Sequence, residues 1–294
     1  MDREIKKPPI HHCTKNLAKR PSRAILSKSL DILSTRHLYS QDLGNSMFTE
    51  IDNLFRVLFM NKFCDQFCDQ LKNRVSVYSV LKHPYYQAWN EGELSKDSLK
   101  LYARQYFKHV DQFPRYISAI HSLCEDLTSR QILLENLIDE ERGEDNHPEL
   151  WLKFAECLGN SRDSVYGASS LPETRELVSE FMQLCQSSYE EGLGALYAYE
   201  HQVPEVAKTK IAGLQKYYGL DSDAALKFFR VHETADVYHS EAVEGLLNSL
   251  SDAQKGRASL AAEKAAKLLW KFLDGICEAS HQDFEKFGYY KKAA

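Results

Sequence analysis

The sequence predicts an all-α protein, built as a single bundle of seven or eight helices with short connections. Three observations indicate this fold class. After Met60, apolar residues recur at steps of three and four positions in one segment after another. Pro, Gly and Ser stand at the joins between these segments, where helices begin and end. Only 74–81 alternates as a strand does, and one short run cannot form a sheet.

The helices can be assigned in order from their start and stop signals. Ser95 is a predicted N-cap for a helix that runs to about Cys124 and that Pro114 should kink. A second helix covers about 128–141, and a short one opens at Pro148. The remaining predicted helices open at Pro172 and span about 188–201, 204–218, 221–250 and 259–279.

Composition and length limit the class of protein. The chain has 294 residues, of which 43% are apolar and 27% charged, which fits a globular protein and excludes collagen-like and wholly disordered classes. No apolar run approaches about 18 residues, and the N-terminus lacks the apolar core of a secretory signal, so no membrane contact is expected. The seven Cys include no paired CxxC framework, which favours reduced thiols in a bacterial cytoplasm.

The first 59 residues differ in charge from the rest of the chain. They carry a net charge of +4, whereas residues 60–294 carry −9. Residues 1–59 are therefore expected to be a poorly ordered extension, or an over-extended gene model whose true start is Met60. The acidic body argues against nucleic acid as the main ligand. The predicted domains are this extension, a helical bundle over 60–282 and a tail over 283–294.

The strongest chemical signal lies in the long predicted helix over 221–250. Asp236 and His239 follow His232 by four and seven residues, so all three fall within about 60° on one helix face. Two imidazoles and a carboxylate on one face suit a first-row metal such as iron or manganese. A solvated polar face would have a similar pattern, so this motif alone leaves both interpretations open.

Two further segments offer ligands of the same kind. Glu140 lies near the end of a predicted helix, and His147 follows after a break at Gly143, which would fold the imidazole back toward the carboxylate. Glu200 follows an apolar and aromatic run, and a buried carboxylate there needs a partner that a metal pair supplies. In both segments these polar residues could instead be ordinary helix-end residues that bind no metal. Together with the long helix, they give three carboxylates and three imidazoles, which is how dimetal sites are built in helical bundles.

Tyrosine and one lysine complete the set of candidates. The sixteen Tyr are a high number, and several fall on predicted inner faces: Tyr86, Tyr102, Tyr106, Tyr197 and Tyr199. Most are expected to be packing residues, but a Tyr beside an oxygen-activating metal pair is also an oxidisable ring. Lys210 lies near the apolar face of its predicted helix and is a candidate amine. Four other histidines are expected at the surface or as hydrogen-bonded core residues: His83, His109, His121 and His201.

Four motifs together resemble those of the CADD-like proteins, a family named after the chlamydial protein associating with death domains. They are HPYYQAW at 83–89, E-x6-H-P at 140–148, YE-x-Q-x-P at 199–204 and H-x3-D-x2-H-S at 232–240. That family belongs to the heme-oxygenase-like dimetal oxidases, in a wider group with pyrroloquinoline-quinone synthase C-like and TenA-like proteins. The resemblance covers about 61–280 of this sequence.

The resemblance implies a seven-helix heme-oxygenase-like bundle around a dinuclear metal site, usually in a homodimer. It implies Fe/Fe or Fe/Mn as the metal pair, with O2 and an external reductant as co-substrates. The metal ligands that it implies are Glu140, His147, Glu200, His232, Asp236 and His239. It also implies para-aminobenzoate synthesis for folate, in which the protein consumes its own Tyr86 as ring source and Lys210 as amine donor. Tyr102 and Tyr199 are the supporting tyrosines in this scheme.

Other functions remain open on the sequence alone. A dimetal oxygenase that acts on a free amine or fatty acid would use the same ligands with a more open pocket. A cofactorless quinone-synthase-type oxidase would not need all six ligands, and a thiaminase-like protein would need a nucleophilic Cys. An interaction protein that binds host death domains is the non-enzyme alternative. Loss of His232 would spare that interaction and abolish the metal-dependent activities.

Overall fold

The helical architecture is seen in a computed structural model that describes residues 66–291. Residues 66–75 are helical, and two 3-10 turns follow at Ser76–Tyr78 and Val80–Lys82. The helices that begin and end within the described range are α1 (Pro84–Glu91), α2 (Lys96–Leu123), α3 (Leu127–Glu141), α4 (His147–Cys157), α5 (Arg162–Tyr166), α6 (Pro172–Ser187), α7 (Tyr189–Glu200), α8 (Val203–Tyr218), α9 (Asp223–Asn248) and α10 (Asp252–Ala279). A third 3-10 turn follows at Glu285–Phe287. The expectations for 1–59 lie outside the described residues.

The prediction of an all-α protein is confirmed, with two corrections. The described range contains no strand, since the alternating run 74–81 forms 3-10 turns that bury Val80 and leave Val77 64% exposed. Ten α-helices begin and end in the same range, rather than seven or eight, because the apolar pattern does not predict the short helices α1 and α5. Local capping begins both of them, at His83 for α1 and at Ser161 for α5.

Capping residues explain where the longer helices begin. The Ser95 side chain accepts a hydrogen bond from the Ser98 backbone N–H and begins α2, as predicted. α10 begins at Asp252, earlier than the apolar pattern indicates, because Ser251 and Gln254 form a capping box ahead of a polar stretch. These boundaries follow local side-chain chemistry that apolar periodicity does not report.

α7 is the central helix of the bundle and packs against α2, α6, α9 and α10. Ten of its twelve residues are buried, as expected of a helix enclosed on all sides. Gly194 allows a close approach to α10, because a Cβ at this position would lie 2.1 Å from the Ala258 carbonyl oxygen. The last two residues of α7 are Tyr199 and Glu200, so the central helix carries both into the interior of the bundle.

α2 and α9 carry four further candidate residues on faces that are buried in the bundle. α2 is a single helix through Pro114 and buries Tyr102 and Tyr106. α9 buries His232 and Asp236, which are one helical turn apart. Within residues 66–291, every helix is too short or too polar to cross a membrane.

Candidate metal centre and tyrosine cluster

Three of the predicted ligands converge where the end of α3, the start of α4 and the middle of α9 meet. One ligand atom each from Glu140, His147 and His232 lies within 4.8 Å of the other two. The predicted break between Glu140 and His147 is present, because Gly143 adopts a φ of +88° and Asn146 caps α4. All three ligand side chains are buried. Their spacing is compatible with coordination of one metal ion.

Several polar atoms of this region lack the hydrogen bonds that buried groups normally make. His147 Nδ1 lies 2.7 Å from Glu140 Oε2, yet the pair does not have the alignment of a hydrogen bond. His239 Nδ1 lies 3.4 Å from Asp236 Oδ1, also without that alignment. Glu200 Oε2 and Asp236 Oδ2 have no partner among the described residues. Imidazole and carboxylate atoms that are buried together and unpaired fit a set of metal ligands.

The other three predicted ligands lie beside this group without joining it. Glu200 is fully buried at the end of α7, Asp236 is one turn beyond His232 on α9, and His239 is 8% exposed. Their charges are coupled, since Asp236 helps to raise the pKa of Glu200, and Glu200 helps to raise that of His239. The structure therefore gathers all six side chains in one region, with three of them close enough to share one ion.

Burial and neighbouring charges set the protonation of these groups. Burial, and then the Asp236 carboxylate, raises the pKa of Glu200 to about 8. Burial opposes charge on His239, but the carboxylates of Asp236, Glu200 and Asp139 outweigh it and raise the pKa to about 9. Burial also opposes ionisation of Glu140, but three nearby imidazoles outweigh it and lower its pKa. Protons thus balance the buried negative charge, and a bound cation would displace them.

Groups around the cluster orient its ligands. His232 Nδ1 lies 2.6 Å from the Phe228 carbonyl oxygen, and donation to this oxygen leaves Nε2 available as a ligand. Asn136 Nδ2 donates to Glu200 Oε1 at 2.6 Å, and both side chains are buried.

Sequence reasoning missed Asn136 and two other residues of this region. Asn136 precedes Glu140 by one helical turn, and this shared face is the signal that could have found it. Asp139 Oδ2 lies 3.1 Å from His239 Nε2, but nothing in the sequence distinguishes this aspartate from its acidic neighbours. Tyr106 is predicted on an inner face, but only the structure connects it to the site.

The tyrosine cluster, which consists of Tyr86, Tyr102, Tyr106 and Tyr199, adjoins these ligands. The hydroxyl oxygens of Tyr86 and Tyr102 are 2.9 Å apart. The rings of Tyr102 and Tyr106 stack with centroids 5.3 Å apart, and the Tyr106 hydroxyl donates to that of Tyr199 at 2.9 Å. All four side chains are buried. The structure thus brings the three predicted tyrosines together and adds Tyr106 as the link between them.

Lys210 extends from α8 into the tyrosine cluster. Its Nζ donates to the Tyr102 hydroxyl at 2.5 Å and lies 4.7 Å from the ring centroid of Tyr86. Burial lowers the pKa of Lys210 well below its usual value, and surrounding aromatic faces offset only part of the lost hydration. The Trp89 indole N–H donates to the Lys210 carbonyl oxygen at 3.4 Å. A buried amine of lowered pKa is therefore held against two phenol rings.

The four other histidines only partly match their expectation. His83 is a hydrogen-bonded core residue, because its Nε2 lies 3.1 Å from Asp274 and its Nδ1 caps α1. His121 is partly exposed. His109 matches the expectation in part, since its Nδ1 lies 3.5 Å from the Tyr116 hydroxyl oxygen while its Nε2 is buried without a partner in the described part of the chain. For His201 the expectation is wrong, because both of its ring nitrogens are buried there without a partner. Burial lowers the pKa values of His109 and His201 to about 3 and about 4, so both rings are neutral.

Comparison with known proteins confirms the resemblance drawn from the motifs. Residues 100–270 match the model of a heme-oxygenase family described as iron-containing redox enzymes. A protein of Nitrosomonas europaea named 4-aminobenzoate synthase is 44% identical, over 68% of this chain and 86% of that protein. The 4-aminobenzoate synthase of Chlamydia trachomatis serovar D is 37% identical, over 70% of this chain and 91% of that protein.

Solved structures share the fold at low sequence identity. A CADD-like protein of unknown function from Nostoc punctiforme aligns with a TM-score of 0.61 at 16% identity, over 73% of this chain and 97% of that one. A TenA homolog from Pseudomonas syringae pv. tomato aligns with a TM-score of 0.62 at 19% identity, over 71% and 92% of the two chains. The chain therefore belongs to the heme-oxygenase-like family of iron-containing redox enzymes, among relatives named 4-aminobenzoate synthase.

Proposed function

We propose that this chain is a self-sacrificing synthase of 4-aminobenzoate (para-aminobenzoate) that supplies folate biosynthesis. The observation that carries the proposal is the pairing of Lys210 with Tyr86, whose ring centroid lies 4.7 Å from the lysine Nζ inside a buried aromatic cluster. The product is a benzene ring with a carboxylate opposite an amine. Tyr86 has the ring and the carbon that would become the carboxylate, and Lys210 has the nitrogen.

The six predicted ligands would hold a metal pair, proposed as Fe/Fe or Fe/Mn. Glu140, His147 and His232 have the spacing for one ion, and the carboxylates and imidazole beside them would serve the second. The unpaired buried atoms of these residues and the iron of the family support this assignment. When bound, the metal pair would supply oxidation by O2, with an external reductant to keep it reduced.

The contribution of the chain is to hold a buried amine of lowered pKa against the ring and to move protons. Because burial lowers the pKa of Lys210, its lone pair is available for attack on the ring carbon that bears the phenol oxygen. Tyr102 contacts both Lys210 Nζ and the Tyr86 hydroxyl, so it can pass a proton from the amine to the departing oxygen. Trp89 and Tyr85 are fully buried beside Tyr86 and exclude water.

The bonds and atoms balance with a single O2 per chain. The Cα–Cβ bond of Tyr86 breaks, Cβ takes both oxygen atoms as a carboxyl group, and Cα takes a hydrogen, which leaves a glycyl residue. The ring C–O bond is exchanged for a C–N bond, while the Cε–N bond of Lys210 breaks and Cε takes the hydroxyl. Because each chain spends one tyrosine and one lysine, the product is limited to one molecule per chain.

An oxygenase that acts on a free amine or fatty acid is the competing enzyme. The cavity that touches Tyr86 leaves about 20 Å³ for water-sized molecules, which is enough for one water and too little for such a substrate. A second cavity, of about 350 Å³, adjoins His239 and Asn136, so cavity volume does not separate the two enzymes and the labelling experiment decides between them.

Isotopic labelling tests the proposal directly. The full chain is produced with ring-labelled tyrosine and side-chain 15N-lysine, purified anaerobically, loaded with Fe(II) with or without Mn(II), and given reductant and O2. We expect 4-aminobenzoate that carries both labels, in an amount of one molecule per chain or less. Unlabelled product, or product well above one per chain, would contradict a self-sacrificing reaction.

Two neighbouring tyrosines provide a matched pair of variants. Tyr85 and Tyr86 are both buried on α1, but only the Tyr86 ring lies beside Lys210 Nζ. Tyr86→Phe should abolish the product, whereas Tyr85→Phe should retain it. Peptide mapping should find the Tyr86 side chain missing in the reacted parent protein. Product from Tyr86→Phe would refute the assignment of the ring source.

A further inference from the structure

A product made from Tyr86 would begin inside the bundle. The Tyr86 side chain is 3% exposed, and its hydroxyl contacts that of Tyr102. Aromatic residues cover the ring on two sides, with Tyr85 and Trp89 centroids 6.2 and 6.3 Å away. A free ring in this position needs a route to solvent that does not pass through the core.

A narrow cavity leads away from Tyr86 toward the surface. Tyr86, Tyr106 and Tyr199 of the tyrosine cluster line it together with Val80 and Gln202, and we take the side of the partly exposed Gln202 as its outer end. Apolar side chains of α8 and α10 line the walls, so the lining suits a benzene ring. Gln202 is partly exposed, and its amide is the polar group at the outer end.

The cavity is too narrow for the product as the structure stands. Its volume for water-sized molecules, about 20 Å³, admits one water but no benzene ring. Cleavage from Cα would free the space that the Tyr86 side chain occupies at its own end of the cavity. The outer end is therefore the part that limits release. Release therefore requires movement of whatever covers that end.

The cover is the segment of two 3-10 turns over 76–82, in which Val80 lines the cavity. The Ser76–Tyr78 turn buries none of its residues, whereas Val75 before it and His83 after the second turn are both buried. The Val80 backbone N–H donates to Gln202 Oε1 at 3.2 Å and joins this cover to the start of α8. Besides this bond, Val80 packs on the core and Lys267 Nζ lies 5.2 Å from the Tyr78 ring centroid, so opening of the cover breaks a few local contacts without unfolding of the bundle.

We propose, on the basis of the function proposed above, that this cavity is the release site for the aromatic acid and that the Val80–Gln202 bond is its latch. When the latch opens, the Val80 N–H loses its acceptor and becomes a free donor beside the Gln202 amide. The Gln202 amide nitrogen donates one N–H to the Ala198 carbonyl oxygen at 2.8 Å, so its second N–H and the Val80 N–H would bind a carboxylate while the apolar walls contact the ring. The ligand class is a planar, monocyclic aromatic carboxylate.

The test compares free product with total product in the same reaction. Free 4-aminobenzoate is measured by rapid native ultrafiltration, and total 4-aminobenzoate after acid denaturation, so the ratio does not depend on the amount formed. Val203→Trp adds an indole at the outer end of the cavity and should lower the early free-to-total ratio at least tenfold. Leu260→Trp, at a position of α10 that is 62% exposed, is the matched control and should keep the parent ratio.

A second variant changes release in the opposite direction. Gln202→Leu keeps the side-chain size but removes the acceptor for Val80, so the free product should appear at least three times faster than in the parent. If both variants release the product at the rate of the parent protein, the proposed release site is wrong. If Val203→Trp forms no product, the release rate of Gln202→Leu alone tests the site. Absence of total product in the unchanged protein would instead overturn the proposed function, and the release site with it.

Discussion

Replacement of Lys210 with Met should stabilise the protein while it abolishes the product. Lys210 buries an amine whose hydrogen bond is to Tyr102, and burial acts against its charge. Met fills a similar volume without an ionisable group. Loss of the hydrogen bond costs about 1 kcal/mol. Exchange of buried ionic groups for apolar residues of similar volume is often stabilising by about 1–4 kcal/mol. We expect a net gain of about 0–3 kcal/mol, or up to about 12 °C in Tm for a domain of this size.

The stability that Lys210→Met gains over the parent protein should shrink as the pH rises. The pKa of Lys210 is lowered in the folded protein, so between that value and about 10.5 the unfolded chain binds a proton that the folded chain lacks. The free energy of unfolding of the parent therefore increases with pH in this interval, by at most about 1.4 kcal/mol per pH unit. The Met variant lacks this pH-dependent contribution. The difference in the free energy of unfolding between the two proteins should therefore narrow toward pH 10.

Urea unfolding at several pH values between about 7 and 10 measures this difference. Lys208→Met is the control, because Lys208 lies on the same helix and is exposed. It should change stability by less than about 0.5 kcal/mol at every pH. A Lys210→Met variant that is less stable than the parent by an amount independent of pH would refute the reasoning, since the amine would then be charged and stabilising in the folded protein.

Three further predictions concern the ring source and the metal centre. Tyr86→Phe should lower stability by about 1 kcal/mol in urea unfolding, because one buried hydroxyl contact is lost, and should reduce 4-aminobenzoate at least ~100-fold by mass spectrometry. His232→Ala should lower bound iron at least ~10-fold in elemental analysis, whereas His121→Ala, at a partly exposed position, should leave it unchanged. Iron affinity should rise with pH up to about 9, because protons on Glu200 and His239 compete with the metal; a Kd that does not change with pH would contradict this.

The helices, their order and the ligand faces could be predicted because their causes are local. Apolar periodicity and capping act within one or two helical turns, so the α2 boundary at Ser95 follows from the sequence. The spacing of His232, Asp236 and His239 fixes their common face on any α-helix. The break at Gly143 likewise predicts the return of His147 toward Glu140, since the reversal involves only neighbouring residues.

The features that the sequence did not predict depend mainly on contacts between residues far apart in the chain. The short helices escaped prediction because two turns carry too little periodic signal. Asn136 meets Glu200 from another helix, and the sequence separates them by 64 residues. Tyr106 joins the tyrosine cluster through a hydroxyl 93 residues away, so its inner-face position alone could not assign it.

The sequence by itself determined which residues of this protein could act as ligands, ring source and amine, because residue type and helical spacing are properties of the chain. Only the tertiary structure decided their chemical state. Lys210 lies 108 residues from Tyr102 and 124 from Tyr86, and its pKa is lowered only where helices enclose it in aromatic rings. Charge and protonation depend on desolvation by the whole surrounding volume, and that volume exists only in the folded bundle.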